Sequence, residues 1–127
     1  QDDGDSIETI LNIAATAETL ACTHYYNVLT DSDIQLTPAE RGFLTAALDT
    51  EYQHLQFLNA NGGEALTQEF YFPLNVYVDR ENFSEITEMA ETAFVGAYLA
   101  AAYPIMYHSH RQSSITYPMP RLFFKDS

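Results

Sequence analysis

The chain has 127 residues, 46% of them hydrophobic, which is enough for one domain with a buried core and too apolar for general disorder. Its 18 acidic side chains against 5 basic ones leave a formal net charge of −13. Such a surface repels nucleic-acid phosphates and anionic lipids, so nucleic acid is excluded as a partner.

A solvated acidic surface is the simplest reading of that charge; attraction of cations and a home at high salt also fit. The single cysteine, Cys22, excludes an intrachain disulfide framework and a CxxC zinc site. No stretch reaches the roughly 18 uninterrupted apolar residues of a transmembrane segment. The opening Gln1-Asp2-Asp3-Gly4 reads as a mature N-terminus left after an export signal is removed, although a trimmed chain would begin the same way. The expected location is therefore extracytoplasmic, either periplasmic or secreted.

In chain order, the spacing predicts a first helix over about 5–30, opened by Asp5 with Glu8 as capping-box partner. Its stripe runs Ile7, Ile10, Leu11, Ala14, Glu18, Ala21, Tyr25, Val28 and Leu29, with Cys22 as a small buried hydrophobe. Asp31-Ser32-Asp33 ends it. A second helix over about 37–61 starts at Thr37-Pro38-Ala39-Glu40, with Thr37 as N-cap and Pro38 in the first turn. Its stripe is Leu44, Ala47, Leu48, Glu51, His54, Leu55 and Leu58, and Asn61-Gly62-Gly63 supplies a left-handed stop.

Residues 64–82 read as a crossover containing an aromatic extended piece, Phe70-Tyr71-Phe72-Pro73-Leu74. A third helix follows over about 82–102, capped by Asn82 with Glu85, and its stripe includes Thr87, Ala90, Glu91, Phe94 and Tyr98. Pro104 is expected to break it, because proline lacks an amide donor and crowds the preceding turn. That leaves a short helix over 105–113. The prolines at 118 and 120 then predict an extended tail over 114–127. Residues 1–127 are expected to form a single all-α domain whose fourth helix is short or incomplete.

Three helices thus carry a carboxylate in mid-stripe: Glu18, Glu51 and Glu91. An ionised carboxylate in a core is costly unless it is paired, hydrogen-bonded or bound to metal. His54 stands one turn after Glu51, so both leave the same helix face, and carboxylate oxygen with imidazole nitrogen suits iron, manganese or zinc. The simpler alternatives are a hydrogen-bonded core pair for Glu51 and His54, and glutamates held protonated or bonded to Tyr25, Tyr26 or Tyr98. His24 falls off the Glu18 stripe and reads as a surface or inter-helix hydrogen-bonding residue. Of the late residues, His108 and His110 fall in the short segment, and Tyr107 stands three places before His110.

Those residues resemble the ferritin-like superfamily, and more narrowly the secreted or periplasmic ferritin-like domain proteins of the desiccation-related type. The matching stretches are Ala17-Glu18-Thr19-Leu20-Ala21, Ala46-Ala47-Leu48-Asp49-Thr50-Glu51-Tyr52-Gln53-His54, Phe70-Tyr71-Phe72-Pro73 and Glu91-Thr92-Ala93-Phe94-Val95-Gly96-Ala97-Tyr98-Leu99. The resemblance implies a four-helix bundle with a long crossover between helices 2 and 3 and a dinuclear metal centre. Carried over position by position, Glu18, Glu51, His54 and Glu91 fall on ligand places and His110 on the last histidine. The family's fourth-helix glutamate falls on Tyr107 and is absent.

On that basis Glu51 bridges two metals, Glu18 and His54 hold one, and Glu91 with His110 holds the other. The expected ions are iron or manganese, with oxygen, peroxide or metal-oxidation chemistry. The competing expectation is a degenerate, metal-free site on a structural or interaction subunit, assembled as a homo-oligomer or within a larger extracytoplasmic complex. An iron-storing cage is a third reading, weakened by the incomplete fourth helix. Whether the chain is an enzyme, and which residues would be catalytic, is open at this point. Ala102 also runs almost directly into residues that look like the end of a fourth helix. The expectation is a stretch of chain missing near Ala102-Tyr103, or a neighbouring subunit that completes the bundle.

Overall fold

The computed structural model describes the backbone of residues 6–109 and the side chains of residues 6–98. These residues form α1 (Ile7–Thr30), α2 (Pro38–Ala60) and α3 (Arg80–Ser109), with no strand among them. The all-α expectation holds. The described residues divide into two compact units, 6–88 and 89–109. The first contains α1, α2, the crossover and the opening turns of α3.

Local chemistry sets most helix ends. Ser6, not Asp5, caps α1: its hydroxyl accepts from the Thr9 amide at 3.1 Å. Asp5 lies outside the described residues. Inside α1, the hydroxyls of Thr16, Thr19 and Thr23 each return to the carbonyl one turn back, at 2.7–2.8 Å, so threonine adds no unpaired donor to the packed face. Thr37 caps α2 as predicted, accepting from the Glu40 amide at 3.1 Å. The Glu40 carboxylate accepts from the Thr37 hydroxyl at 3.0 Å and from Arg80 at the start of α3.

Gly62 ends α2 with φ 90°, the left-handed conformation that glycine adopts without a Cβ penalty. The Gly63 amide then reaches the Leu58 carbonyl at 2.9 Å and the Gly62 amide reaches Asn59 at 3.1 Å. That pair of bonds is a Schellman stop. Gly63 is required for a different reason: a Cβ there would lie 2.9 Å from the Leu11 carbonyl oxygen. At the other end of the pair, Arg41 donates to the Leu29 carbonyl at 3.2 Å. The contacts advance along α1 as they retreat along α2, so the two helices pack antiparallel. Ala15, Ala21, Tyr25, Val28, Leu44 and Leu58 form the buried side of this unit.

The crossover is strapped to α1. The Glu64 amide donates to Asn12 Oδ1 and the Leu66 amide to Thr16 Oγ1, both at 2.9 Å, while Val76 is fully buried. Within the aromatic piece, Phe72 turns inward to the His24 ring and Tyr71 faces solvent. Asp79, three residues before the predicted Asn82, caps α3 by accepting from the Glu81 amide at 2.9 Å. The cap moves because the turn that buries Val76 fixes where the chain can enter the helix.

α3 also departs from expectation at its far end. It passes through Ala102, Tyr103 and Pro104 to Ser109 as one helix, where a break and a separate short helix were predicted. A proline costs an interior helix about 3 kcal/mol. The alanine-rich run Ala97-Tyr98-Leu99-Ala100-Ala101-Ala102 before it has among the highest helix propensities available, which favours continuation. The side chains of Tyr107 and His108, and all of His110 and the 114–127 tail, lie outside the described residues. Among the described residues, no helix is long and apolar enough to cross a membrane.

Candidate metal centre

Glu18 projects from the middle of α1, and Glu51 and His54 from successive turns of α2. Each offers one donor atom, and the three atoms lie within 4.8 Å of one another. His54 Nδ1 is 3.2 Å from Glu51 Oε2 and 3.6 Å from Glu18 Oε1. The antiparallel packing makes this meeting possible: an ExxH pair on one helix faces a single glutamate on the other. Small neighbours on α1, Ala14, Ala15, Ala17 and Ala21, let the helices come close.

The cluster is graded in exposure. The Glu18 side chain is 7% exposed, Glu51 13% and His54 26%. Burial pushes the Glu51 carboxyl up to about 7, against the opposing pull of His54; a hydrogen bond and like charge from Glu18 add to the rise. The same two carboxylates push His54 up to about 10 through their hydrogen bonds, against desolvation. These groups titrate as one cluster. The direction that the geometry carries is retention of a proton at His54 Nδ1, which faces both carboxylates. Two alternatives from the sequence, a hydrogen-bonded core pair and a glutamate held partly protonated, therefore describe the metal-free state of the same residues.

The donor set fits a metal. Two carboxylate oxygens and one imidazole nitrogen, from two rigid helices and sheltered from water, are hard-to-borderline ligands of the kind iron and manganese accept. Of the other sequence candidates, Glu91 is half-buried on α3 in the second compact unit and is not free of interactions. His110 lies outside the described residues. His24 is not a ligand: it is buried and hydrogen-bonded between α1, the crossover and α3. The inter-helix role is observed and the surface role is not.

One neighbour carried no sequence signal. Cys22, expected as an inert buried hydrophobe, is half-buried beside the cluster, and its thiol is pushed up to about 11 by burial and then by Glu18 and Glu51. It lines an open groove of about 550 Å³ with Tyr26, Thr45, Leu48, Asp49 and Tyr52. A thiol held so firmly protonated is a poor ligand and a poor nucleophile.

A sequence model of the ferritin-like domain family matches residues 7–114. Comparison with curated proteins finds no match. Comparison with solved structures finds none either.

Proposed function

The chain belongs to the ferritin-like domain family, and from that premise we propose that it is a metal-binding member in which Glu18, Glu51 and His54 hold iron or manganese. The observation that carries this reading is the convergence of three donor atoms within 4.8 Å inside such a domain. When bound, either ion supplies redox chemistry toward a small oxidant such as oxygen or peroxide.

The protein's own part is to orient and to exchange a proton. His54 Nδ1 carries its proton between two carboxylates in the metal-free cluster, and that proton must leave before the same nitrogen can donate a lone pair. Glu18, the most buried of the three, keeps water from one side. Glu51, adjacent to both partners, would be the carboxylate shared with a second ion.

The reading extends to Glu91 and His110 as ligands of a second ion, and to a four-helix bundle of the desiccation-related type in an extracytoplasmic setting. The mid-stripe position of Glu91 and the pattern around His110 support it from the sequence. Tyr107 in place of a glutamate makes the second position the weaker of the two. The test is elemental analysis of natively purified protein, repeated after incubation with Fe(II) or Mn(II). Near-stoichiometric metal that is lost in Glu51→Ala and in His54→Ala supports the proposal. Protein that takes up neither ion, or takes it up equally in both variants, overturns it and leaves the metal-free structural subunit.

A further inference from the structure

Outside the metal cluster, the described residues contain a second polar assembly, part-buried and built around one buried ring. Its centre is His24, 6% exposed, with its imidazole stacked between Phe72 and Phe83 at ring-centroid distances of 5.5 and 4.8 Å. Both ring nitrogens are engaged. Nδ1 lies 2.9 Å from the Tyr77 hydroxyl and Nε2 lies 2.8 Å from Thr87 Oγ1.

The direction of each bond follows from the last link. The Thr87 hydroxyl donates its only hydrogen to the Phe83 carbonyl at 2.6 Å, so it can only accept from His24. His24 therefore carries its proton on Nε2, and Nδ1 accepts from the Tyr77 O–H. Asn27 Nδ2 approaches the same phenol oxygen at 3.5 Å, again as a donor. The chain of bonds runs one way, from Asn27 through Tyr77 and His24 to Thr87 and the Phe83 carbonyl.

We propose that His24 is an acid-sensitive latch that holds the crossover, residues 61–79, against α1 and α3. A second proton on the ring would sit on Nδ1 and point at an oxygen that already has its own hydrogen and the Asn27 amide facing it. One hydrogen would then be left without a protein acceptor at a part-buried site beside the ring, a costly arrangement that swinging the crossover into water relieves.

Among the described residues, the groups in ring contact or hydrogen-bonded within the assembly are Tyr25 and Asn27 from α1, Phe72 and Tyr77 from the crossover, and Phe83 and Thr87 from α3. Only the two phenols among them are titratable, and none is a carboxylate that could hold the second proton. Burial keeps the His24 pKa down at about 4 and the Tyr77 phenol up at about 12. Both stay neutral at ordinary pH. The other straps of the crossover, the Glu64 and Leu66 amides on Asn12 and Thr16 and the Asp33 amide on the Tyr77 carbonyl, are uncharged and supply no second pH response.

Hydrogen exchange of the full-length protein tests the latch. After correction for intrinsic rates, protection of the Asp33, Glu64 and Leu66 amides is expected to fall about tenfold per pH unit below the ordinary histidine value, as one proton binds only to the open form. Amides in the middle of α2 keep their protection. In Tyr77→Phe the closed form loses the bond to Nδ1, so protection of the same amides is expected to drop at every pH while the onset, set by the open form, stays near the ordinary histidine value. Nitrogen NMR of the wild-type protein provides a readout that needs no variant, with the hydrogen expected on Nε2. A hydrogen on Nδ1, a pH-independent crossover, or unchanged protection in Tyr77→Phe would overturn the proposal.

Discussion

Two carboxylates and one imidazole leave the metal-free cluster with more negative charge than it can neutralise, even with His54 protonated. Burial is the larger reason that Glu51 is pushed up, with Glu18 adding to the rise, while the two carboxylates together hold the proton on His54. Removing one carboxylate should therefore relieve the apoprotein while damaging metal binding. Glu51→Gln in chelator-treated protein is expected to leave stability unchanged or raise it by up to about 1 kcal/mol, a trade-off common at functional sites. Chemical denaturation checks this, and a loss of several kcal/mol would show that Glu51 serves structure first. His24 predicts the opposite pH limb. Its folded pKa of about 4 lies below the ordinary 6.5, so its stabilisation is intact above pH 6.5 and is lost as pH falls toward 4. The shift corresponds to about 3 kcal/mol, which outweighs the roughly 1 kcal/mol that two stacked rings could return to the cation. Thermal melts at descending pH should show the loss, and His24→Gln should reduce it. Glu18, Glu51 and His54 were legible in the sequence because a charge in an apolar stripe stands out. The His24 assembly was not, since its partners Tyr77 and Thr87 lie 53 and 63 residues away and no local pattern links them.

Helix ends show the same division. The Thr37-Pro38 start and the Asn61-Gly62-Gly63 stop were read correctly because each is built from neighbours in sequence. Thr37→Ala should cost about 1 kcal/mol by orphaning the Glu40 amide. Gly62→Ala should cost about 1 kcal/mol through its positive φ. Denaturant midpoints check both, and a silent Gly62→Ala would mean that α2 ends differently in solution. The start of α3 was misplaced by sequence reasoning because tertiary contacts decide it. The buried turn at Val76 and the Arg80 contacts with Glu40 and the Gln35 carbonyl fix the entry at Asp79. Asn82 offered an equally good cap on paper. Pro104 was overrated as a breaker because its local penalty was weighed without the alanine-rich run that precedes it.

At the scale of the whole molecule, a formal charge of −13 makes the folded chain repel itself. Stability should rise with salt as the screening length falls from about 30 Å at 0.01 M to about 3 Å at 1 M. Melting temperature measured across that range checks it, and a fall would mean that ion pairs such as Arg80 with Glu40 outweigh the repulsion. One small contact reaches across the first unit to the cluster. Gly63 sits wedged between the Leu11 and Leu58 carbonyls, and Glu18 and Glu51 each lie about two helical turns, roughly 10 Å, further along their own helices. That wedge works as a gauge stop: a single hydrogen atom's width sets how far one helix slides past the other. An added methyl would shift the carboxylates out of step by a few tenths of an ångström, a mismatch comparable to the difference in preferred bond length between one divalent ion and another. Under the metal-binding reading proposed above, the fit of one ion or another would then be set from a residue that never touches it.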